Sequence, residues 1–263
     1  MQMIELCQPG VMLKCDDDDE REKFFSWQGM ITFIIHSFYE AHSALYLLSN
    51  SAVPIKQDYA THRANRLFIS QRRAEIEQFV ISEFNLNYPY DHEQIFFETE
   101  KILRKEKIES GVVPVFVSQS PHGIYAKAFL TAFALIKKII KKLRCEEGTP
   151  EALDEIYSML NSYFPHLTAV RDSTQHAEER IQGMAHGKKI KLKPITAGAF
   201  TSPSGALVIS SFDGSKFVAT KADGELGEID VSFESLEKMG EVIQRLLDAF
   251  EWDGYKEILP RLP

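Results

Sequence analysis

Apolar side chains recur at steps of three and four from residue 22 to residue 49. Phe24, Trp27, Ile31, Ile34, Ile35, Phe38, Tyr39, Ala41, His42, Leu45 and Leu48 trace this face, and the spacing predicts a helix. The face is wide, as suits the central helix of a bundle. Pro54 marks a loop, and Asp58 or Thr61 offers a cap for a second helix running to about residue 84. Residues 85–91, with Pro89, break the pattern, and a third helix is predicted over 92–109. Residues 112–117 form a short apolar run that suits an extended segment, and 118–123, with Pro121, suits a loop. Over 124–144, Phe129, Phe133, Ile136, Ile140 and Leu143 share one helical face, while Lys137, Lys138, Lys141, Lys142 and Arg144 lie mostly on the other. A short helix over 151–163 ends before Pro165, and another is predicted over 168–185.

After Gly187 the period changes. Residues 189–193, 206–212, 216–220 and 228–231 alternate or carry β-branched side chains, with Asp213-Gly214 and Asp223-Gly224 among the separators. Asp-Gly between two apolar runs is a hairpin signal. A last amphipathic helix, over 233–250, carries Leu236, Met239, Ile243, Leu246, Leu247 and Phe250. The pattern therefore predicts a mainly α fold. An acidic lead-in covers 1–20 and a helical bundle 21–187. Antiparallel β elements and a final helix follow over 188–263, packed back on the bundle. No Gly-, Ser- or Pro-rich linker divides 186–195, so one continuous unit is expected.

Composition narrows the possibilities. With 44 % apolar residues in 263, global disorder is excluded. The formal charge of −8 argues against a protein that coats nucleic acid over its whole surface, but leaves room for a local basic site. Cys7, Cys15 and Cys145 form no CxxC pair, so a reducing cytosol is the simplest setting and a Cys-based zinc site is not expected. Residues 30–48 contain His36, Glu40 and His42, and 126–140 contain Lys137 and Lys138. Neither offers about 20 uncharged apolar residues, so both read as buried helices and no membrane span is expected. The first residues show no basic stretch and no small-residue cleavage site, so no secretory signal is expected. The run Asp16, Asp17, Asp18, Asp19 and Glu20 reads as a solvated lead-in suited to the positive end of the helix that follows.

Candidate chemistry is sparse. HExxH, GxGxxG, a phosphate loop, a GxSxG elbow and Cys-rich metal patterns are missing, so no cofactor or metal is implied. One segment stands apart: Arg171-Asp172-Ser173-Thr174-Gln175-His176, near a helix start. Asp172 and His176, four apart, would share a helical face, where the carboxylate can orient the imidazole. Arg171 and His176 are about 140° apart on an ideal helix. Either the long arginine wraps round, or a second subunit completes the pair. Imidazole plus guanidinium suits cleavage of a phosphodiester beside a 2′-hydroxyl. The first would move the proton and the second clamp the phosphate. Basic side chains reinforce this. Residues 137–144 hold four Lys and one Arg, and Lys188, Lys189, Lys191 and Lys193 follow the motif. Each group alone reads as a solvated face or a protected edge strand. Together, flanking His176, they would form a rim in which Lys137, Lys141, Lys188 and Lys189 guide RNA backbone.

The segment from Arg171 to His176 resembles the Rx4-6H motif of HEPN domains, with Asp172 as the polar residue after the arginine. A weaker likeness lies in Phe38-Tyr39-Glu40-Ala41-His42-Ser43-Ala44-Leu45 and Thr61-His62-Arg63-Ala64-Asn65-Arg66. Together they span roughly 24–185. The resemblance implies a bundle of four or more helices and a homodimer that brings two motifs into one cleft. In active members it implies metal-independent endoribonuclease activity. Arg171, Asp172 and His176 would be the catalytic set, in a defence or toxin–antitoxin setting with a neutralising partner protein.

Other readings stay open at this point. One is a non-catalytic HEPN-like scaffold that binds nucleotide or protein; another is an unrelated helical interaction protein. In the plainest reading His176 is an ordinary helix histidine and Arg171 pairs with Glu178 or Glu179. His36 and His42 fit in or beside the core, His62 with Arg63 and Arg66 suits a solvated helix start, and His186-Gly187 suits a helix end.

Overall fold

The structure of the chain, a computed structural model, describes residues 3–15, 17–51, 59–197 and 200–261. The helices are α1 (Arg21–Asn50), α2 (Tyr59–Glu83), α3 (His92–Glu109), α4 (Val115–Arg144), α5 (Ala152–Tyr163), α6 (Leu167–Gln175), α7 (Ala177–Ile181) and α8 (Phe233–Ala249). Short antiparallel strands complete a mainly α fold: β1 (Leu6–Gln8), β2 (Met12–Leu13), β3 (Met184–Ala185), β4 (Lys188–Lys189), β5 (Ile195–Ala197), β6 (Phe200–Ser202), β7 (Ser211–Phe212), β8 (Lys216–Thr220), β9 (Leu226–Asp230), β10 (Trp252–Asp253) and β11 (Glu257–Leu259). Among the described residues no helix is long and apolar enough to cross a membrane.

Contacts gather the chain into two units, 1–51 with 121–263, and 52–120. The sequence pattern predicts one continuous unit; the contacts keep 121–263 together with 1–51 and set 52–120 apart. Pairing of distant segments explains the difference. Leu6 and Leu259 are partners in the β1–β11 ladder, as are Leu13 and Trp252 in β2–β10. Gln244 of α8 locks the first ladder by donating to the Cys7 carbonyl and accepting from the Cys7 amide, each at 2.8 Å. Residues 1–20 are thus no simple solvated lead-in: part of the segment is a strand pair that ties the two ends of the chain together.

The large unit has one core. Trp27, Ile31, Ile34 and Phe38 of α1 meet Phe129, Phe133 and Ile140 of α4 there, with Leu160 of α5 and Leu236, Met239 and Leu246 of α8. The α8 helix follows directly from its pattern. Ser232 caps it, its hydroxyl accepting from the Ser235 amide at 3.2 Å, and its six core-facing apolar side chains are fully buried. Burying each such side chain is worth roughly 1.5–3 kcal/mol. The β7–β8–β9 sheet contributes Phe217, Ala219 and Ile229 to this core and packs on α6.

The small unit is a helical hairpin. Ion pairs Arg72–Glu106 and Arg73–Glu100 bind α2 to α3, over a core of Ile76, Val80 and Leu103. Asn85, at φ 53°, ends α2 in the left-handed conformation that asparagine tolerates. Asp58 and Pro54 lie outside the described residues, as do the side chains of His62, Arg63 and Arg66.

Local expectations fail at four places. The segments expected as extended (112–117) and loop (118–123) give way to α4, which starts at Val115 and runs through Pro121. Pro121 fits the helical φ but forfeits one donor and crowds the carbonyl four residues earlier, so α4 carries it at a cost. The helix expected over 168–185 breaks at His176, whose φ −102° and ψ 44° are not helical. His186-Gly187 is the turn of the β3–β4 hairpin, both residues at positive φ, rather than a helix end. Strand is confined to Lys188–Lys189 and Ser211–Phe212 within the longer runs expected, and β5–β6 was not foreseen.

The Asp213-Gly214 and Asp223-Gly224 turns do connect β7 to β8 and β8 to β9. At Gly224, φ is +85°, and a Cβ would stand 1.9 Å from the Lys191 carbonyl oxygen. Gly224→Ala should therefore cost about 2 kcal/mol, read as a lower urea midpoint at unchanged slope. A midpoint equal to that of the parent chain would show that the turn relaxes freely.

Candidate anion-binding site

Ala134, Lys137, Lys138 and Lys141 follow each other at i, i+3, i+4 and i+7 on α4, and so form one stripe. The stripe is one wall of a pocket of about 350 Å3. Tyr157 and Asn161 of α5 and Thr168 and Arg171 of α6 complete the lining, which contains no carboxylate. Four cationic side chains therefore converge on a concave surface.

Lys137 is the unusual member. It is only 7 % exposed, and no carboxylate among the described residues pairs with it. Burial pushes its ammonium pKa below the ordinary lysine value, and the Lys141 charge pushes it the same way. The expected solvated lysine face is thus corrected at this residue. On an ideal helix Lys137 lies only about 40° from Phe133, at the edge of the apolar arc, and the packed helices cover it. That angle was the signal in the sequence. Tyr157, Asn161 and Thr168 carried none, because only the meeting of α5 and α6 with α4 makes them neighbours of the lysines. Arg144 stacks on Tyr157, its guanidinium 4.6 Å from the ring centre, and fixes that wall.

Of the motif residues, Arg171 lines the pocket and His176 does not. Arg171 Nη1 donates to Asp172 Oδ1 at 2.8 Å, which orients the guanidinium. Asp172 thereby serves the arginine. Its expected partner, the His176 imidazole, sits beyond the end of α6 and is 3.6 Å from Glu178 instead. The His176 amide still donates to the Asp172 carbonyl at 3.0 Å, so the two stay one helical turn apart, and it is their side chains that take other partners. His176 is 54 % exposed at the α6–α7 junction. Lys188 and Lys189 are exposed on β4 and line no part of this pocket, and Lys193 pairs with Glu225 at 2.8 Å. The continuous basic rim expected around His176 resolves into a compact pocket and a separate exposed lysine pair.

The break is held from inside. Arg180 of α7 is fully buried, donating to the Met184 carbonyl at 2.7 Å and to Ser173 Oγ at 3.3 Å. Ser173 Oγ donates in turn to the Thr220 carbonyl of β8 at 2.8 Å. Of the histidines placed in or beside the core, His42 is buried against Phe233 and His36 is exposed. Among the described residues no three of His, Cys, Asp and Glu converge where a metal ion would sit.

Searches of family models, of curated proteins and of solved structures find no match to this chain.

Proposed function

We propose that this chain binds RNA by holding a backbone phosphate in the pocket of Lys137, Lys138, Lys141 and Arg171. The observation that carries this reading is Lys137, whose side chain is largely buried, pairs with no carboxylate among the described residues and lines the pocket beside other cations and neutral groups. A protein keeps such a charge at a cost in stability, and an anionic ligand offsets that cost. Arg171 supplies the directional half of the contact, through the nitrogens that Asp172 leaves free. The exposed Lys138, Lys141 and Lys142 continue outward along α4, which suits a chain of phosphates better than a single one.

Metal-independent RNA cleavage is a second reading, favoured by one observation: Arg171 belongs both to the pocket and to the HEPN-like motif. In it, phosphate held at Arg171 is presented to a His176 imidazole, which takes the 2′-hydroxyl proton as the 2′-oxygen attacks phosphorus, while the P–O5′ bond breaks and the leaving oxygen takes a proton from water. A 2′,3′-cyclic phosphate and a 5′-hydroxyl result. Because His176 lies outside the pocket of its own chain, a second copy would contribute it.

One experiment addresses both. Filter binding and gel assays on a mixed RNA pool in EDTA would compare the parent chain with Arg171→Ala and His176→Ala. Arg171→Ala should weaken RNA retention about tenfold, the value of one charge-assisted phosphate contact. His176→Ala should retain RNA as the parent does. Retention unchanged by Arg171→Ala overturns the binding reading. Cutting that His176→Ala abolishes supports the nuclease, and cutting that it leaves intact removes His176 from the chemistry. DNA and mononucleotides in parallel show whether the pocket selects for a polymer and for ribose.

A further inference from the structure

The hairpin of α2 and α3 carries a lengthwise separation of charge. Residues 75–100, which include its tip, hold seven Asp or Glu and no Lys or Arg. Residues 63–73 and 101–109, at the other end, hold eight Lys or Arg and two Glu. Many of these charges are already paired within the hairpin, as in Arg72–Glu106, Arg73–Glu100 and Lys101–Glu98. Glu83 and Glu93 toward the tip, and Arg104 and Lys107 toward the base, are exposed and pair with no described residue.

The same two ends differ in shape. At the tip, Tyr88 and Tyr90 are 75 % and 90 % exposed. At the base, Leu103, Ile108, Val112 and Pro114 floor a groove of about 270 Å3 edged by Arg104, Lys107 and Glu100, whose carboxylate is held by Arg73. Between the ends, Phe79, Phe96 and Phe97 are each more than half exposed. Among the described residues, Ile76, Val80 and Leu103 form the hairpin's own core.

We propose that this arm docks on the same arm of a second copy of the chain, antiparallel about a two-fold axis. Each tip, with its tyrosines, carboxylates and the neighbouring exposed phenylalanines, lies against the partner's groove, where Arg104 and Lys107 face it. A two-fold axis makes both tip–base contacts at once, because the patch is self-complementary. A parallel arrangement would set seven carboxylates against seven and is disfavoured. The tip and base of α3 are about 27 Å apart, the rise of its 18 residues, so the two contacts are well separated anchors.

The test is sedimentation equilibrium of the full chain in reducing buffer. Three variants alter only exposed side chains: Tyr88→Ser with Tyr90→Ser, Glu83→Lys with Glu93→Lys, and Arg104→Glu with Lys107→Glu. The parent should form a dimer that weakens above about 0.5 M salt, where the Debye length falls to about 4 Å. Each variant alone should weaken the dimer about tenfold or more. Mixing the two charge-reversed variants should restore association as a heterodimer. Arg171→Ala should dimerise as the parent does, which separates this proposal from the RNA reading. A monomeric parent, a dimer indifferent to all three variants, or reversed variants that do not rescue each other would overturn the proposal.

Discussion

Arg180→Ala is expected to remove about 3 kcal/mol of folding stability, and more if the cavity stays open. The reasoning starts from burial. Arg180 is among the largest side chains in the protein that solvent does not reach. Its guanidinium donates to Ser173 Oγ and to the Met184 carbonyl, and lies 3.8 Å from Glu179. Truncation leaves the Met184 carbonyl without this donor and opens a void between α6, α7 and the β3–β4 hairpin. Arg180→Lys keeps the charge but not the fork of donors, so it should recover only part of the loss. Urea denaturation of the three proteins checks this. A loss within about 0.5 kcal/mol for Arg180→Ala would mean that the residue is not a structural tie. Because α7 begins at the residue after His176, the same variant should also broaden the His176 imidazole NMR signals.

Lys137→Met is expected to act in opposite directions on stability and on binding. Burial disfavours the ammonium in the folded chain, so the folded protein holds this proton less tightly than the unfolded chain does. The resulting penalty is full at low pH. It disappears as pH rises from the lowered Lys137 value toward the ordinary lysine value of 10.5. Methionine has similar length and no charge, so at pH 7 the variant should be about 1 kcal/mol more stable. RNA retention should fall about tenfold to a hundredfold, since the charge least screened by water is gone. In the parent chain, retention should also decline with rising pH sooner than ordinary lysines would dictate. Thermal melts and filter binding across pH test both halves. A variant that is less stable and still binds RNA would leave Lys137 a packing residue only.

Much of the architecture was legible along the chain. The α1, α3, α5 and α8 helices lie within about two residues of their periodic patterns, because a long amphipathic face is a local property, joined at α8 by the Ser232 cap. The two Asp-Gly turns were legible for the same reason: positive φ at glycine is decided within four residues. The break at His176 was not. It depends on Arg180 reaching back to Ser173 and on Ser173 reaching the Thr220 carbonyl 47 positions away. The pairing of β1 with β11 was equally hidden, since strands of three residues carry almost no pattern of their own.

The site divides in the same way. The sequence by itself determined that a basic stretch follows an apolar helix face and that an arginine and a histidine stand five residues apart. It also determined the opposed charges along the α2–α3 hairpin. Only tertiary structure decided which of those cations share a pocket. Packing α5 and α6 against α4 buried Lys137, turned Arg171 toward it and gave both the same wall. It also gave the Asp172 carboxylate to Arg171 and set the His176 imidazole beside Glu178. The physical reason is one of range. Periodicity and turn chemistry act over a few residues, whereas the desolvation of a charge depends on every element packed around it.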